Sequence, residues 1–408
     1  MTSTSCEQLA QSLLEQCIAG APPAQLPSEL THDTCARALF GIFVEGLGDR
    51  FDPELCDAYA DLFAQAIPQQ NATALSARYR KVREIRRASG VGRPILAADS
   101  LSAGPSERSS DSVTRVLILS RVTLGADVAV TSVILDAAKR AFPAAEITFA
   151  GPRKNFELFA ADPRLTHAPI DYRRGTLADR LKAWEDLKPL ATPATLILDP
   201  DSRLTQLGLL PIGDDHLYHL FESRSYRAHT DDNLPSLAAH WAEATLGVPG
   251  ARPYIAPLPA PTPQGPYIAI SLGVGENAAK RIPGNFETQL LALLSAKAPL
   301  VIDRGAGGEE AERVERAVVQ SGARATYWEG SFAGFANLIG HSSLYVGYDS
   351  AGQHVAAAAG IPLVTVFTGF PAERMFHRWR PAGPRVTVVR ADHANAVEIL
   401  AQVAHAIA

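Results

Sequence analysis

The stretch SSLYVGYDSAGQHVAAAAGIPLVTVF, Ser342–Phe367, decides the fold. SSLYVG reads as a buried strand ending at Val346, and LVTVF reads as another. Between them lies a helix that starts near Ser350 or Ala351 and is mostly alanine. Two continuous apolar strands joined through a helix belong to a parallel sheet covered on both faces. The polar residues Asp349, Ser350, Gly352 and His354 gather where the first strand ends and the helix begins. Ligands of such sheets bind beyond the carboxyl ends of the strands. A helix start also offers unpaired N–H groups and about half a positive charge, which suits an anion such as a diphosphate. In this reading Gly352 lets a ligand approach the backbone and His354 donates to a phosphate oxygen. Ser350 caps the helix or bonds the ligand, and Asp349 serves a ribose hydroxyl or orients a neighbouring donor. Asp and Ser are also ordinary capping residues at a helix start.

The same alternation extends outward. YIAISLG, PLVIDRG and RATYWEG read as strands; GNFETQLLALLSA, GGEEAERVERAVVQSG, SFAGFANLIGH and the terminal ADHANAVEILAQVAHAIA read as helices. The loop SLGVGENAAKRIP follows the strand YIAIS. Gly273 and Gly275 keep its backbone open, and Lys280 and Arg281 bring cations where a diphosphate would need them. Upstream, RPYIAPLPAPTPQGP is too rich in proline for a helix or central strand and reads as a linker. Before it a second α/β run appears. VTRVLILS, EITFAG, ATLILD and HAPI are its strands, and TLADRLKAWEDL and LPSLAAHWAEATLG are among its helices. Two Rossmann-like domains facing one cleft follow from this. Asp127, after Gly125 and Ala126, starts the first helix of that earlier domain. It reads either as an N-cap or as a general base projecting into the cleft.

The expected organisation is a helical N-terminal domain over 1–95 and a linker over 96–112. An α/β domain over 113–255, a proline-rich linker over 256–266 and a second α/β domain over 267–408 follow. Within the helical part, FDPELCDAYADLFAQAIP carries a capping Asp52, Pro53 at the first helical position and apolar residues at helical spacing. ARYRKVREIRRASG reads as a solvated basic face, or as a patch for the anionic headgroups of a membrane surface or for a charged acceptor.

The chain has 408 residues, 47% hydrophobic and 20% charged, which suits a globular protein of two or three domains. A net charge of −5 gives no field for nucleic acid. No apolar run approaches the roughly 20 residues of a spanning helix, and no secretion signal opens the chain. Cys6, Cys17, Cys35 and Cys56 lack close zinc-site spacing and read as reduced thiols of a cytoplasmic protein. Asp214, Asp215, His216 and His219 cluster in GDDHLYHLFESRS, with the histidines spaced to share a helix face. No third ligand is placed by spacing, so no metal is expected there. Asp199, Asp201 and Arg203, in LILDPDSRLTQLGLLP, read as acceptor-binding groups or as a buried turn network. Trp379 and Phe370 read as packing residues or as the border of a nucleobase.

TLGADVAVTSVILDAAKRAFPAAEITF and YVGYDSAGQHVAAAAGIPLVTVF together resemble glycosyltransferase family 9, the ADP-heptose:lipopolysaccharide heptosyltransferases. SLGVGENAAKRIP and FTGFPAERMFHRWRP add to the resemblance, which covers roughly residues 113–408. It implies the GT-B fold and metal-free, inverting transfer from a nucleoside diphosphate sugar, with no cofactor. The implied donor is ADP-heptose. The acceptor would be a glycan, glycolipid or protein hydroxyl, and the setting lipopolysaccharide biosynthesis. The resemblance carries a catalytic-base role to Asp127 and donor binding to Lys280. It carries the Asp-[Ser/Thr]-Gly-x-x-His loop to Asp349, Ser350, Ala351, Gly352 and His354. Two departures stand out: Ala126 interrupts the usual Gly-Asp pair, and Ala351 occupies the usual glycine position. A non-catalytic nucleotide-sugar-binding protein on the same shell is the alternative. An NAD-dependent dehydrogenase is disfavoured because no G-x-G-x-x-G closes the first strand.

Overall fold

The computed structural model describes residues 3–88, 113–275, 277–305, 307–392 and 394–408. The expected linker at 96–112 and the end of the helical region lie outside the described residues.

The helical region contains α1 (Ser3–Ile18), then α2, in which a π turn, Leu39–Val44, joins the short segments Ala36–Ala38 and Glu45–Gly48. α3 (Pro53–Phe63) follows, capped by Asp52 through the Glu54 N–H, and then α4 (Ala72–Ala88). In the first α/β domain the order is β1 (Arg115–Leu119), α5, β2 (Glu146–Gly151), α6 (Arg153–Phe156), β3 (Leu165–Pro169) and α7 (Leu177–Leu187). β4 (Thr195–Asp199), β5 (Tyr218–Leu220) and α8 (Leu234–Leu246) complete it. Helix α5 runs through Leu124–Ala126, a π turn Asp127–Thr131, and Ser132–Ala141.

The second domain runs β6 (Ile268–Ser271), α9 (Phe286–Ser295), β7 (Leu300–Asp303), α10 (Gly308–Ser321), β8 (Ala325–Trp328) and α11 (Phe332–His341). It continues with β9 (Leu344–Tyr348), α12 (Ala351–Ala358), β10 (Leu363–Phe367), α13 (Glu373–Trp379), β11 (Val386–Arg390) and α14 (Ala396–Ala406).

Both sheets are parallel. Their orders are β3-β2-β1-β4-β5 and β11-β10-β9-β6-β7-β8. Each sheet reverses direction beside its first strand, between β1 and β4 and between β6 and β9. Those two reversals are where a crevice opens beyond the strand ends.

Strands β5 and β11 do not figure in the sequence reading. Both are edge strands. β5 is three residues long, and β11 is half exposed, so neither has the continuous apolar run that marks its neighbours. The histidine pair expected on a helix face is corrected here: His219 lies on β5, and His216 belongs to the turn before it.

The helical region shares its hydrophobic core with one face of the first sheet. Leu39, Phe40 and Phe63 pack in the same cluster as Leu117, Leu119 and Ile197. Arg78, Arg80 and Arg83 of its basic helix form ion pairs, while Lys81 is exposed. Arg78 pairs with Asp215 at 2.7 Å, Arg83 pairs with Glu222 at 2.8 Å and with Asp57, and Arg80 pairs with Asp61. The expectation of four reduced thiols is also corrected. α1 packs beside the turn that precedes α2, which brings Cys6 and Cys35 to a Cα separation of 5.3 Å, and they form a disulfide. Cys17 and Cys56 remain buried thiols, and burial pushes both thiol pKa values up. No helix among the described residues is long and apolar enough to cross a membrane.

Candidate functional site

The crevice of the second domain collects the donor-binding candidates. Lys280 ends a 3-10 turn, Ala278–Lys280, held by the Asn277 side chain, which accepts from the Ala279 N–H at 3.0 Å. That turn aims the Lys280 ammonium at Asp349, and the two form an ion pair. The second Asp349 oxygen accepts from Gln353, whose own oxygen accepts from Thr365 at 2.8 Å. Lys280, Asp349 and the start of α12 thus meet beyond β6 and β9.

Ser350 precedes α12 in an extended conformation, and its side chain makes no capping bond. Its hydroxyl is buried and faces the Tyr345 hydroxyl.

His354 is buried within the first turn of α12. Burial lowers its pKa to about 4; Asp349 opposes the shift and Lys280 reinforces it. The ring is therefore neutral and acts as a hydrogen-bonding group, not a cation. At Gly352 a Cβ would strike the Tyr345 ring, so its missing side chain makes room for β9 packing. Gly273 is likewise close-packed, against Glu310. Arg281 does not join the cluster: it faces Glu287 on α9 at 3.6 Å, and Glu287 also pairs with Arg313.

The crevice of the first domain is built differently. Asp127 is fully buried. Its Oδ1 accepts from the Arg121 N–H at 2.7 Å and the Thr131 hydroxyl at 2.6 Å. Its Oδ2 accepts from the Ser120 hydroxyl and the Asn155 amide, each at 2.6 Å. Burial pushes the Asp127 pKa up, and these four bonds offset only part of the shift. The expected base does not project into the cleft; it ties β1, α5 and α6 together. The extra residue Ala126 is accommodated where the helix adopts its π turn at Asp127.

Asp199, Asp201 and Arg203 form the turn network that was one of the two readings. Asp199 accepts from the Ser202 N–H, Thr205 and Tyr218 at 2.5–2.7 Å, and burial raises its pKa to about 6. Asp201 is engaged by Ser223 at 2.7 Å and by Arg224, and Arg203 pairs with Glu45 of the helical region at 2.5 Å. Among the described residues no group of three or more His, Cys, Asp or Glu side chains is placed to hold a metal.

The two domains touch across the cleft at these loops. A Cβ on Gly125 would lie 3.1 Å from His354 and 3.2 Å from the Ala351 Cα. Trp379 stands edge-on to His354, with ring centres 5.8 Å apart, and under the buried Arg121 guanidinium at 5.9 Å. Arg121 in turn donates to the Pro200 carbonyl and the Ser223 hydroxyl. Phe370 packs with Phe367 and Phe376. Sequence reasoning passed over Arg121, Asn155 and Gln353. The only signal for any of them is proximity to a motif, which does not say where a side chain turns.

Two parallel Rossmann-like sheets facing each other across loops from both first strands make the GT-B fold. The model of glycosyltransferase family 9 (heptosyltransferase) matches residues 236–403. The match begins at α8 and leaves the Asp127 loop outside. Among solved structures, the heptosyltransferase WaaC of E. coli, bound to ADP-2-deoxy-2-fluoro heptose, is 17% identical with a TM-score of 0.54. The similarity covers 72% of this chain and all of that one. A family 9 glycosyltransferase from Veillonella parvula is 14% identical with a TM-score of 0.51, over 69% of this chain and 88% of that one. No curated protein matches the chain by sequence.

Proposed function

We propose that this glycosyltransferase moves a heptose-like sugar from an ADP-linked donor to a hydroxyl of a glycan, glycolipid or protein, in one inverting displacement without a metal. The observation that carries the reading is the convergence of Lys280, Asp349 and Ser350 at the start of α12. A diphosphate arriving there meets unpaired helix N–H groups and an ammonium already aimed at the spot. Its oxygens compete with Asp349 for Lys280. The neutral His354 adds a hydrogen bond without repelling Lys280. Fixed donors of this kind stabilise charge that develops on a leaving group and usually supply the largest single contribution to rate. In this role Lys280 takes the place that a metal ion occupies in other phosphate sites.

The ADP and heptose assignments rest on the family 9 domain and on the ligands of the E. coli WaaC structures, one with ADP and one with the fluorinated ADP-heptose. A thermal-shift screen of ADP, UDP, GDP, CDP, NAD and ADP-heptose tests the reading. ADP and ADP-heptose should raise the melting temperature, since a ligand at a hundred times its Kd adds about 2.7 kcal/mol. A response to NAD alone, or to no nucleoside diphosphate, would overturn it.

A further inference from the structure

The helical region lies outside the span that the family model matches, yet it touches the second domain through the turn between α2 and α3. Phe51, in that turn, takes a left-handed conformation with φ 53°, rare for a bulky side chain. Such a state persists only where the surrounding structure holds it in place. Here two separate contacts do so. The Phe51 ring is 2% exposed and belongs to the hydrophobic cluster that also holds Val128 of α5, Val355 of α12 and Met375 of α13. The Phe51 carbonyl accepts from the Arg374 guanidinium of α13 at 2.9 Å.

Helix α13 carries these contacts on to the donor crevice. Glu373 ties its start to its own domain by a two-pronged ion pair with Arg390 of β11, at 2.5 and 2.7 Å. The buried Arg378 donates to the carbonyls of Asp232 and Arg227 in the first domain. At the end of α13 the Trp379 carbonyl accepts from the Gln353 amide at 3.5 Å, and the Trp379 ring stands edge-on to His354. The same buried amide donates to Asp349, the partner of Lys280. A continuous run of contacts therefore leads from Phe51 through α13 to the Lys280–Asp349 pair. Beside Arg374 the three parts of the molecule leave a cavity of about 520 Å³, bordered by Cys17, Asp52, Asp231 and His377. On that side α13 leans on the helical region at the Phe51 contact and not along a packed face.

We infer that Phe51 and Arg374 are positioning residues of the donor site: by docking the helical region on α13 they hold Trp379 where it orients Gln353 and His354, and through them Asp349 and Lys280. The inference rests on the donor reading above. Gln353 is fixed at both ends, its oxygen by Thr365 at 2.8 Å and its amide by Asp349 and the Trp379 carbonyl. A shift of α13 takes the Trp379 carbonyl away, and Asp349 then loses its fixed orientation. Only molecules that hold the competent arrangement bind ligand at full strength, so apparent affinity falls with their fraction. The helical region is in this way a working part of a site that it does not touch.

The test uses the full chain, with ADP as the probe. Phe51→Ala and Arg374→Met each break one of the two contacts, and only the second changes charge. Calorimetry should show about a five- to tenfold loss of ADP affinity in each. Both act through α13, so the double variant should bind about as weakly as the weaker single one; losses that multiply would mark two unrelated lesions and overturn the inference. Arg374→Lys keeps a donor and should recover part of the loss. Coupling of this kind is reciprocal, so saturating ADP should slow hydrogen exchange at the Asp49, Arg50 and Phe51 amides, which are bonded within the turn, by about the same factor. A merely structural contact would give no such response. ADP affinity within about twofold of wild type in both single variants, or exchange in the turn that ignores ADP, would overturn the inference and leave the donor reading standing. A wild-type chain that binds no nucleoside diphosphate would overturn both.

Discussion

Asp349 and Asp127 occupy matching places, each beyond a strand beside the reversal of its sheet, yet they are held in opposite ways. Asp349 pairs with a cation from another loop, Lys280, and lies beside the start of α12. Asp127 is surrounded by four neutral donors from its own domain. A charged partner borrowed from a neighbouring loop can be shared with an incoming diphosphate. A carboxylate whose lone pairs are all taken by neutral donors has nothing to exchange. In the proposed reading one crevice is built to be filled by a ligand, while the other is filled by the chain itself.

The sharpest way to break this contrast is Asp127→Asn. An amide can accept only at one end, so two donors lose their partner. Stability should drop by about 3 kcal/mol in urea unfolding, while ADP affinity stays within a few-fold. An unchanged midpoint would mean that Asp127 is not the tie the hydrogen bonds suggest. Lys280→Ala comes next. Calorimetry should show about a 30-fold loss of ADP affinity, or about 2 kcal/mol, with little change in melting temperature.

Gly125→Leu probes the contact between the two crevices. A side chain at Gly125 meets His354 and Ala351, so it should hold the domains apart and weaken ADP about tenfold, with a larger radius of gyration in solution scattering. An equally tight, equally compact variant would show that closure does not matter to the donor.

The smallest effect concerns His354, whose folded pKa of about 4 lies below the 6.5 of an exposed ring. The unfolded chain takes up that proton first as pH falls. The contribution is therefore present above pH 6.5 and is lost as pH drops toward 4. Relative to His354→Gln, the wild type should lose on the order of 1 kcal/mol by pH 5. Parallel pH curves would place a charged imidazole at α12 instead.

The donor crevice was legible because its chemistry is local: strand, polar turn and helix start stand in one short stretch, and Lys280 follows the neighbouring strand. The first-domain crevice was legible only in position. Which way Asp127 turns depends on a π turn and on Asn155, 28 residues further along. The packing of Gly352 against the Tyr345 ring was not legible, because spacing does not encode it. The Cys6–Cys35 pair and the ion pairs of Arg78 and Arg83 were hidden for the same reason. Their partners are separated in sequence by 29 residues and by well over a hundred.

A crystal structure with ADP bound tests the central claim most directly. The account predicts the β-phosphate at the start of α12, within hydrogen-bonding distance of the Ser350 hydroxyl and the Lys280 ammonium, with Lys280 drawn from Asp349. ADP bound elsewhere, or seated with Lys280 still paired only to Asp349, would contradict it.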